Sequence, residues 1–365
     1  MTVIASFSIE KYPVLLGDLL ISGFEDLDTT LNLPTIGEIT RVFTKGSIRV
    51  PIRLRQKTAI LNENLAITWS GIESSAQKII NSLYQKAKNQ EYWNLEDLST
   101  FFKDFDNTLG KDVGIIGLSN DGSGIFSFGY GETNKLPSVK YGLIRSSGSG
   151  AKDLILCLND FDKPIISKKI NPLETAIGTT LAVTTYLMGN ESVNGQNLIQ
   201  LYGGGYEIVS FVNKKFKKID DITYLIWFGK QNSDSSWGLS LPKTIIKYFY
   251  QNDILIIRKI EVVHENNKPP KCENEAIYSI SPIYRQINNS ELKNLNLQSF
   301  NSRFICSFIV LERFDRSIQI LNRINFSSQN TNPIKFNDDD KDIFTMDIRQ
   351  DFIESIFKFV NSGTN

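Results

Sequence analysis

The feature that most constrains this fold is a hydrophobic period that switches in blocks along the chain. Residues 2–22 read TVIASFSI, a turn at EKYP, then VLLGDLLIS. These are two β-rich runs one hairpin apart. From Gly71 onward Ile72, Ala76, Ile79, Ile80, Leu83, Tyr84 and Ala87 fall three or four apart, and a second short helix fits Leu95–Phe105. That spacing predicts helices with one apolar face. Strand character returns in VGIIGLSNDGSGIFSFG, where Asn120-Asp121-Gly122 supplies a hairpin turn. AKDLILCL is again helical, and Asn171-Pro172 starts a longer helix expected to end near Gly189. A glycine turn in LYGGGYEIVSFV then enters another strand. Strands, a helix pair, strands, a helix pair and strands fit an α+β fold of two sheets with helices outside better than an alternating βαβ chain.

Between these blocks, residues 22–50 are polar and carry Gly, Pro and Thr, which predicts a long loop with room for a short helix. The segment from Ile52 predicts two strands broken at Asn62-Glu63-Asn64. Near residue 216 the character shifts to aromatic-rich strands, ITYLIWFG, IIKYFYQNDILIIRKIEVV, RFICSFIVLE and SIQILNRINF, joined by Asn/Ser/Lys-rich connections. The acidic run Asn337-Asp338-Asp339-Asp340 reads as a solvated loop before a closing helix in IFTMDIRQDFIESIFKFV. A chain of 365 residues has room for two such domains, residues 1–215 and a β-rich extension over 216–365 that ends in a helix.

Composition removes several function classes. Forty Lys+Arg balance forty Asp+Glu, so the chain lacks the positive field of a dedicated nucleic-acid binder. No run approaches the roughly 20 apolar residues of a membrane span, and MTVIASFSIEKYPVLLGD has neither a basic start nor a small-residue cleavage site. A cytoplasmic protein that does not enter membranes is expected. The one histidine, His264, lies in the polar run HENNKPPKCENE, expected to be a loop, and a single imidazole excludes HExxH and multi-His metal sites. Cys157, Cys272 and Cys306 are widely spaced without CxxC pairing, and no GxxxxGK[ST] phosphate loop occurs. No metal or cofactor is expected.

A catalyst that needs no histidine is present at the start. Thr2 follows Met1, and methionine aminopeptidases accept a small second residue. Removal of Met1 then leaves a threonine with a hydroxyl to attack and an α-amine, pKa about 7.7–8.0, to take the proton.

The surrounding motifs extend this reading. TVIASFSIEKYPVLLGDLLIS, with Asp18 sixteen positions after Thr2, resembles the opening of proteasome β-type subunits and of the peptidase subunit of bacterial two-part ATP-dependent proteases. KTAILNENLAITWSG resembles that family's lysine strand, with Lys57 fourteen residues before Gly71 and a helix immediately after. SSGSGAKDL resembles its GSG turn, placing Ser149, and LYGGGYEIV its Gly-Gly turn into a late strand.

Over residues 2–215 the resemblance implies a four-layer αββα sandwich of the N-terminal-nucleophile (Ntn) hydrolases and cleavage of peptide bonds in protein or peptide substrates. Carried over, Thr2 is the nucleophile and its amine the base. Lys57 stabilises the developing alkoxide, Asp18 orients Lys57, Ser149 supports the amine, and the Gly71 N–H faces the oxyanion. The resemblance also implies homo-oligomeric rings fed by a separate ATPase partner. Three features depart from the family: Gln200 and Gly203 replace its Asp and Ser, the segment between Asp18 and Lys57 is lengthened, and the tail is added. A one-residue shift of register would put Gln56 where Lys57 is expected. An inactive proteasome-like subunit or protein-interaction module is the alternative on the same fold. Under an unrelated α+β fold, Asp18 is a strand-end turn residue, Lys57 an exposed strand lysine and Ser149 a helix cap.

Overall fold

The computed structural model describes residues 2–24, 26–106, 109–160, 171–263, 270–300, 302–327, 333–340 and 343–363. The fold is α+β, with largely antiparallel sheets. The chain forms two compact units. One comprises residues 1–183, 194–219 and 280–287, the other residues 184–193, 220–279 and 288–365. His264 lies outside the described residues.

The first unit begins with a hairpin of β1 (Ile4–Ile9) and β2 (Tyr12–Asp18), in register with Ile4 opposite Gly17. Its turn, Glu10-Lys11, has φ of 49° and 71°. Two left-handed residues give the twist that a tight hairpin needs, here without a glycine. Leu20–Gly23 leaves that sheet as a separate strand, β3, rather than extending β2. The segment predicted as loop holds β4 (Asn32–Leu33), β5 (Gly37–Glu38) and a 3-10 turn at Ile39–Arg41, and β6 (Val50–Leu54) pairs with β3.

Next come β7 (Thr58–Asn62), β8 (Leu65–Gly71), α1 (Glu73–Ala87), α2 (Leu95–Lys103), β9 (Val113–Asn120) and β10 (Ile125–Gly131). The predicted period of α1 is realised: Ala76, Ile79, Ile80, Leu83 and Ala87 are buried. A capping box, Asn94 with Asp97, starts α2. β11 (Asn134–Ser138) and β12 (Gly142–Ser147) form a hairpin that the sequence pattern did not suggest. β11 is a largely exposed edge strand, so it carries no apolar alternation. The chain continues with α3 (Ala151–Asp160), α4 (Pro172–Asn194), whose residues 184–193 belong to the second unit, and then α5 (Gln196–Ile199), β13 (Tyr206–Val212) and β14 (Lys215–Lys218) of the first. α4 runs past Gly189, where an end was expected. A Cβ at that glycine would lie 3.0 Å from Ile320, so it serves close approach rather than termination.

Among the described residues, one sheet of this unit has the order β11-β12-β1-β2-β13-β14 and the other β10-β9-β8-β7. They stack through Ile4, Leu15 and Val209 against Ala66, Ile116 and Leu118. The opposite face of the second sheet, with Ile67, Trp69 and Ile115, is covered by Ile79, Ile80 and Leu83 of α1 and Phe101 of α2. Each such burial contributes about 1.5–3 kcal/mol.

The second unit is built on a sheet of order β21-β20-β15-β17-β18-β19-β23-β22, with β16 on β15. Its strands are β15 (Ile222–Gln231), β16 (Trp237–Leu239), β17 (Thr244–Gln251), β18 (Ile254–Val263), β19 (Lys271–Ile280), β20 (Phe304–Glu312), β21 (Ile318–Phe326), β22 (Ile334–Asp340) and β23 (Ile343–Ile348), with α6 (Asn289–Lys293) and α7 (Gln350–Gly363). Phe352, Ile356 and Val360 of α7 pack on Trp227, Ile305 and Ile309.

Two expectations are corrected here. The acidic run belongs to β22, and IFTMDI to β23 rather than to the closing helix, because Ile334–Asn337 pairs antiparallel with Thr345–Ile348. Lys271–Glu275, read as loop, lies in β19, where Lys271 pairs with Thr345. Backbone pairing holds such strands without apolar side chains. Among the described residues no helix is long and apolar enough to cross a membrane.

Candidate active site

Three side chains of the first unit, from the last residue of β2 and from just ahead of β1 and β7, meet at one point. Asp18 ends β2 and is fully buried. Its Oδ1 accepts from the Thr2 hydroxyl, from the Val3 N–H at 3.1 Å and from the Lys57 ammonium at 3.1 Å, and its Oδ2 from the Gly203 N–H at 2.9 Å. A buried carboxylate is tolerable only when its lone pairs are filled in this way.

Lys57, 1% exposed, donates to Thr2 Oγ1, to Asp18 and to the Leu20 carbonyl at 2.8 Å. Three donors meet three acceptors, so the ammonium form is fully bonded. Burial nevertheless pulls the Lys57 pKa below the ordinary lysine value, and the Asp18 charge only partly opposes this. The Trp69 ring lies 5.4 Å from Nζ. Glycine makes the meeting of the sheets possible, because a Cβ on Gly17 would lie 2.9 Å from both Lys57 Cβ and Thr68 Oγ1.

Thr2 is held from its other side. Its carbonyl accepts from the Gly150 N–H at 3.1 Å, and a Cβ on Gly148 would come within 2.1 Å of that oxygen. Gly148 has φ of 92°, so the position admits only glycine in practice. Gly71, at the end of β8, has φ of 94°, and a Cβ there would meet the Asp112 carbonyl at 2.1 Å. Ser149 is exposed and donates to the Gln200 carbonyl at 2.8 Å.

Thr2, Lys57, Gly71 and Ser149 all line one cleft of about 880 Å³, under whose floor Asp18 lies. The lysine in the cleft is Lys57. Gln56 turns elsewhere, its side-chain amide reaching the Ile280 carbonyl at 2.5 Å. At the two departing positions the backbone makes contacts: Gln200 offers its carbonyl to Ser149, and Gly203 its N–H to Asp18.

One residue of this arrangement was not singled out in the sequence. Glu207 of β13, 2% exposed, accepts from the backbone N–H of Lys57 at 2.7 Å and of Thr58 at 3.1 Å, and pairs with Lys218 at 2.7 Å. It fixes the backbone that carries the lysine. Its signal was a lone carboxylate inside the apolar run YEIVSFV. The thiols offer no rival nucleophile: burial pushes Cys157 and Cys272 up to about 12 and Cys306 higher still.

Compared with known proteins, the chain matches no family model and no curated protein.

Proposed function

We propose that this protein is an N-terminal threonine hydrolase of amide bonds, on an αββα sandwich of the Ntn-hydrolase type, with Thr2 as nucleophile once Met1 is removed. The observation that carries the reading is the convergence of Thr2 Oγ1, Lys57 Nζ and Asp18 Oδ1 beside an open cleft. The stacked sheets and the helices on the outer face of one of them support the architecture.

In the reaction the α-amine takes the hydroxyl proton as Thr2 Oγ1 adds to the scissile carbonyl. Lys57 lowers the cost of the developing alkoxide, and Asp18 keeps the ammonium aimed at it. The oxyanion faces the Gly71 N–H. Collapse breaks the C–N bond, the amine leaves with the proton from the α-ammonium, and an ester on Thr2 remains. Water, deprotonated by the same amine, then releases the acid and restores the hydroxyl. Ser149 holds the turn beside the amine through Gln200.

A second reading is an inactive subunit of the same fold or a protein-interaction module. It draws on Gln200 and Gly203, and on Thr2 being 1% exposed. Intact mass before and after a peptide epoxyketone, with Thr2→Ala as control, decides between them. Loss of Met1 and one Thr2-dependent adduct are expected for the hydrolase. Retained Met1, or no adduct, overturns it in favour of the second reading.

A further inference from the structure

The β3–β6 ribbon sets Ser22 opposite Pro51 and Gly23 opposite Val50, and Arg49 immediately precedes it. Ser22, Phe24, Arg49 and Arg53 line the same cleft as Thr2. The Arg49 guanidinium carbon sits 4.2 Å from the Phe24 ring centroid, a stacking that sets the plane of the guanidinium fork. Arg49 Nε and Ser22 Oγ are both buried and have no hydrogen-bond partner among the described residues. Buried polar atoms are ordinarily paired, so two unfilled donors on residues that line one cleft point to a missing acceptor.

The charge balance gives that acceptor a sign. Glu73 is shared by Arg53 at 2.7 Å and Arg55 at 3.2 Å, and Asp18 is taken by Lys57. Among the described residues Arg53, Arg55 and Lys57 are thus each in an ion pair, whereas Arg49 is in none, so its guanidinium charge calls for an anionic acceptor. The other carboxylates lining the cleft, Asp112 and Glu132, are exposed and flank β9 and β10 instead of the ribbon.

We infer that Arg49 and Ser22 form a carboxylate-binding subsite, and that the preferred substrate carries a carboxylate on its acyl half. The inference rests on Thr2 being the nucleophile. The leaving amine departs beside the α-amine that protonates it. The acyl half then lies on the Lys57 side, where the Leu20 carbonyl that Lys57 bonds leads directly into the ribbon. A guanidinium fork and a hydroxyl satisfy both oxygens of one carboxylate.

The test uses three peptide epoxyketones on the full chain: acetyl-Ala-Ala-Glu, acetyl-Ala-Ala-Gln and succinyl-Ala-Ala-Gln. The first and third place the carboxylate next to the reacting carbonyl or at the far end of the peptide. The readout is the rate of Thr2 adduct formation by intact mass. One carboxylate probe should react at least about tenfold faster than acetyl-Ala-Ala-Gln, the range of one charge-assisted contact, with Arg49→Gln abolishing the preference and Arg49→Lys reducing it. Equal rates for all three probes, or a preference that survives in both variants, overturns the subsite while leaving the hydrolase reading intact. No adduct with any probe overturns the hydrolase reading and the subsite with it.

Discussion

Among the described residues two lysines are buried beside an aspartate and hydroxyls, one in each compact unit, and Lys57 lines the cleft that holds Thr2. In the second unit Lys247 of β17, fully buried, bonds Asp221 and, at 2.5 Å, Ser302 Oγ, which lies 2.6 Å from Thr223 Oγ1. The parts list matches Lys57, Asp18 and Thr2, and burial lowers both lysine pKa values. The surroundings differ. Asp221 sits in a turn with φ of 59°, where its Oδ2 takes the Arg303 N–H at 2.9 Å and its carbonyl the Phe304 N–H at 3.1 Å, and Thr223 is committed to the Phe300 carbonyl at 2.9 Å. That lysine ties a turn to a sheet. A lysine, a carboxylate and a hydroxyl are therefore insufficient as a chemical signature, and the features that separate the sites are the cleft, the positive-φ glycines around it and a hydroxyl whose own residue can supply a base.

The largest contrast is expected in reactivity. Lys57→Met should slow Thr2 adduct formation by about 10³-fold, the scale of losing a principal charge-stabilising group, whereas Lys247→Met should leave it within a factor of about two. Equal losses in the two variants would mean that the comparison reports stability alone.

The aspartates should separate in stability. Asp18→Ala strands a buried ammonium and should cost about 3–5 kcal/mol in urea unfolding. The Asp221 side chain is 41% exposed, so Asp221→Ala should cost about 1 kcal/mol, more of the pair being solvent-screened. A larger loss at Asp221 would reverse the assignment of which pair is structurally committed.

Much of this contrast was open to the sequence, and the reason is local. Helix period, hairpin turns and strand-end glycines are encoded over a few residues, so α1, the β9–β10 hairpin and the GSG turn were legible. Thr2, Asp18, Lys57, Gly71 and Ser149 were named because each stands inside such a local pattern. What was hidden depends on pairing at long range. Glu207 acts on Lys57 from a strand 150 positions away, and Arg49 acquires meaning only when β3 and β6 pair across the lengthened segment. The strand character of Asn337–Asp340 was likewise hidden, since its partner strand supplies what its composition does not.

The pH profile sharpens the comparison further. Adduct formation should rise as the α-amine loses its proton, through about pH 7.7–8.0, then fall as Lys57 deprotonates. Because burial lowers the Lys57 pKa, the alkaline fall should begin below the roughly 10.4 of an ordinary lysine. Lys247→Met should leave both limbs in place. A rate flat across the neutral range would remove the α-amine as base.

The smallest expected effect concerns Glu207 and separates positioning from mere support. Its charge raises the Lys57 pKa, while its carboxylate holds the Lys57 and Thr58 N–H groups. Glu207→Gln keeps an acceptor for those groups and removes the charge, so the fold should survive with a loss of about tenfold in rate. The sign of the pH effect is fixed: without the nearby negative charge the ammonium is less favoured, and the alkaline limb should move to lower pH. A Glu207→Gln protein that is slower yet keeps the wild-type alkaline limb would make Glu207 a strand fastener, comparable to Asp221 in its turn, and would confine the electrostatic control of Lys57 to Asp18.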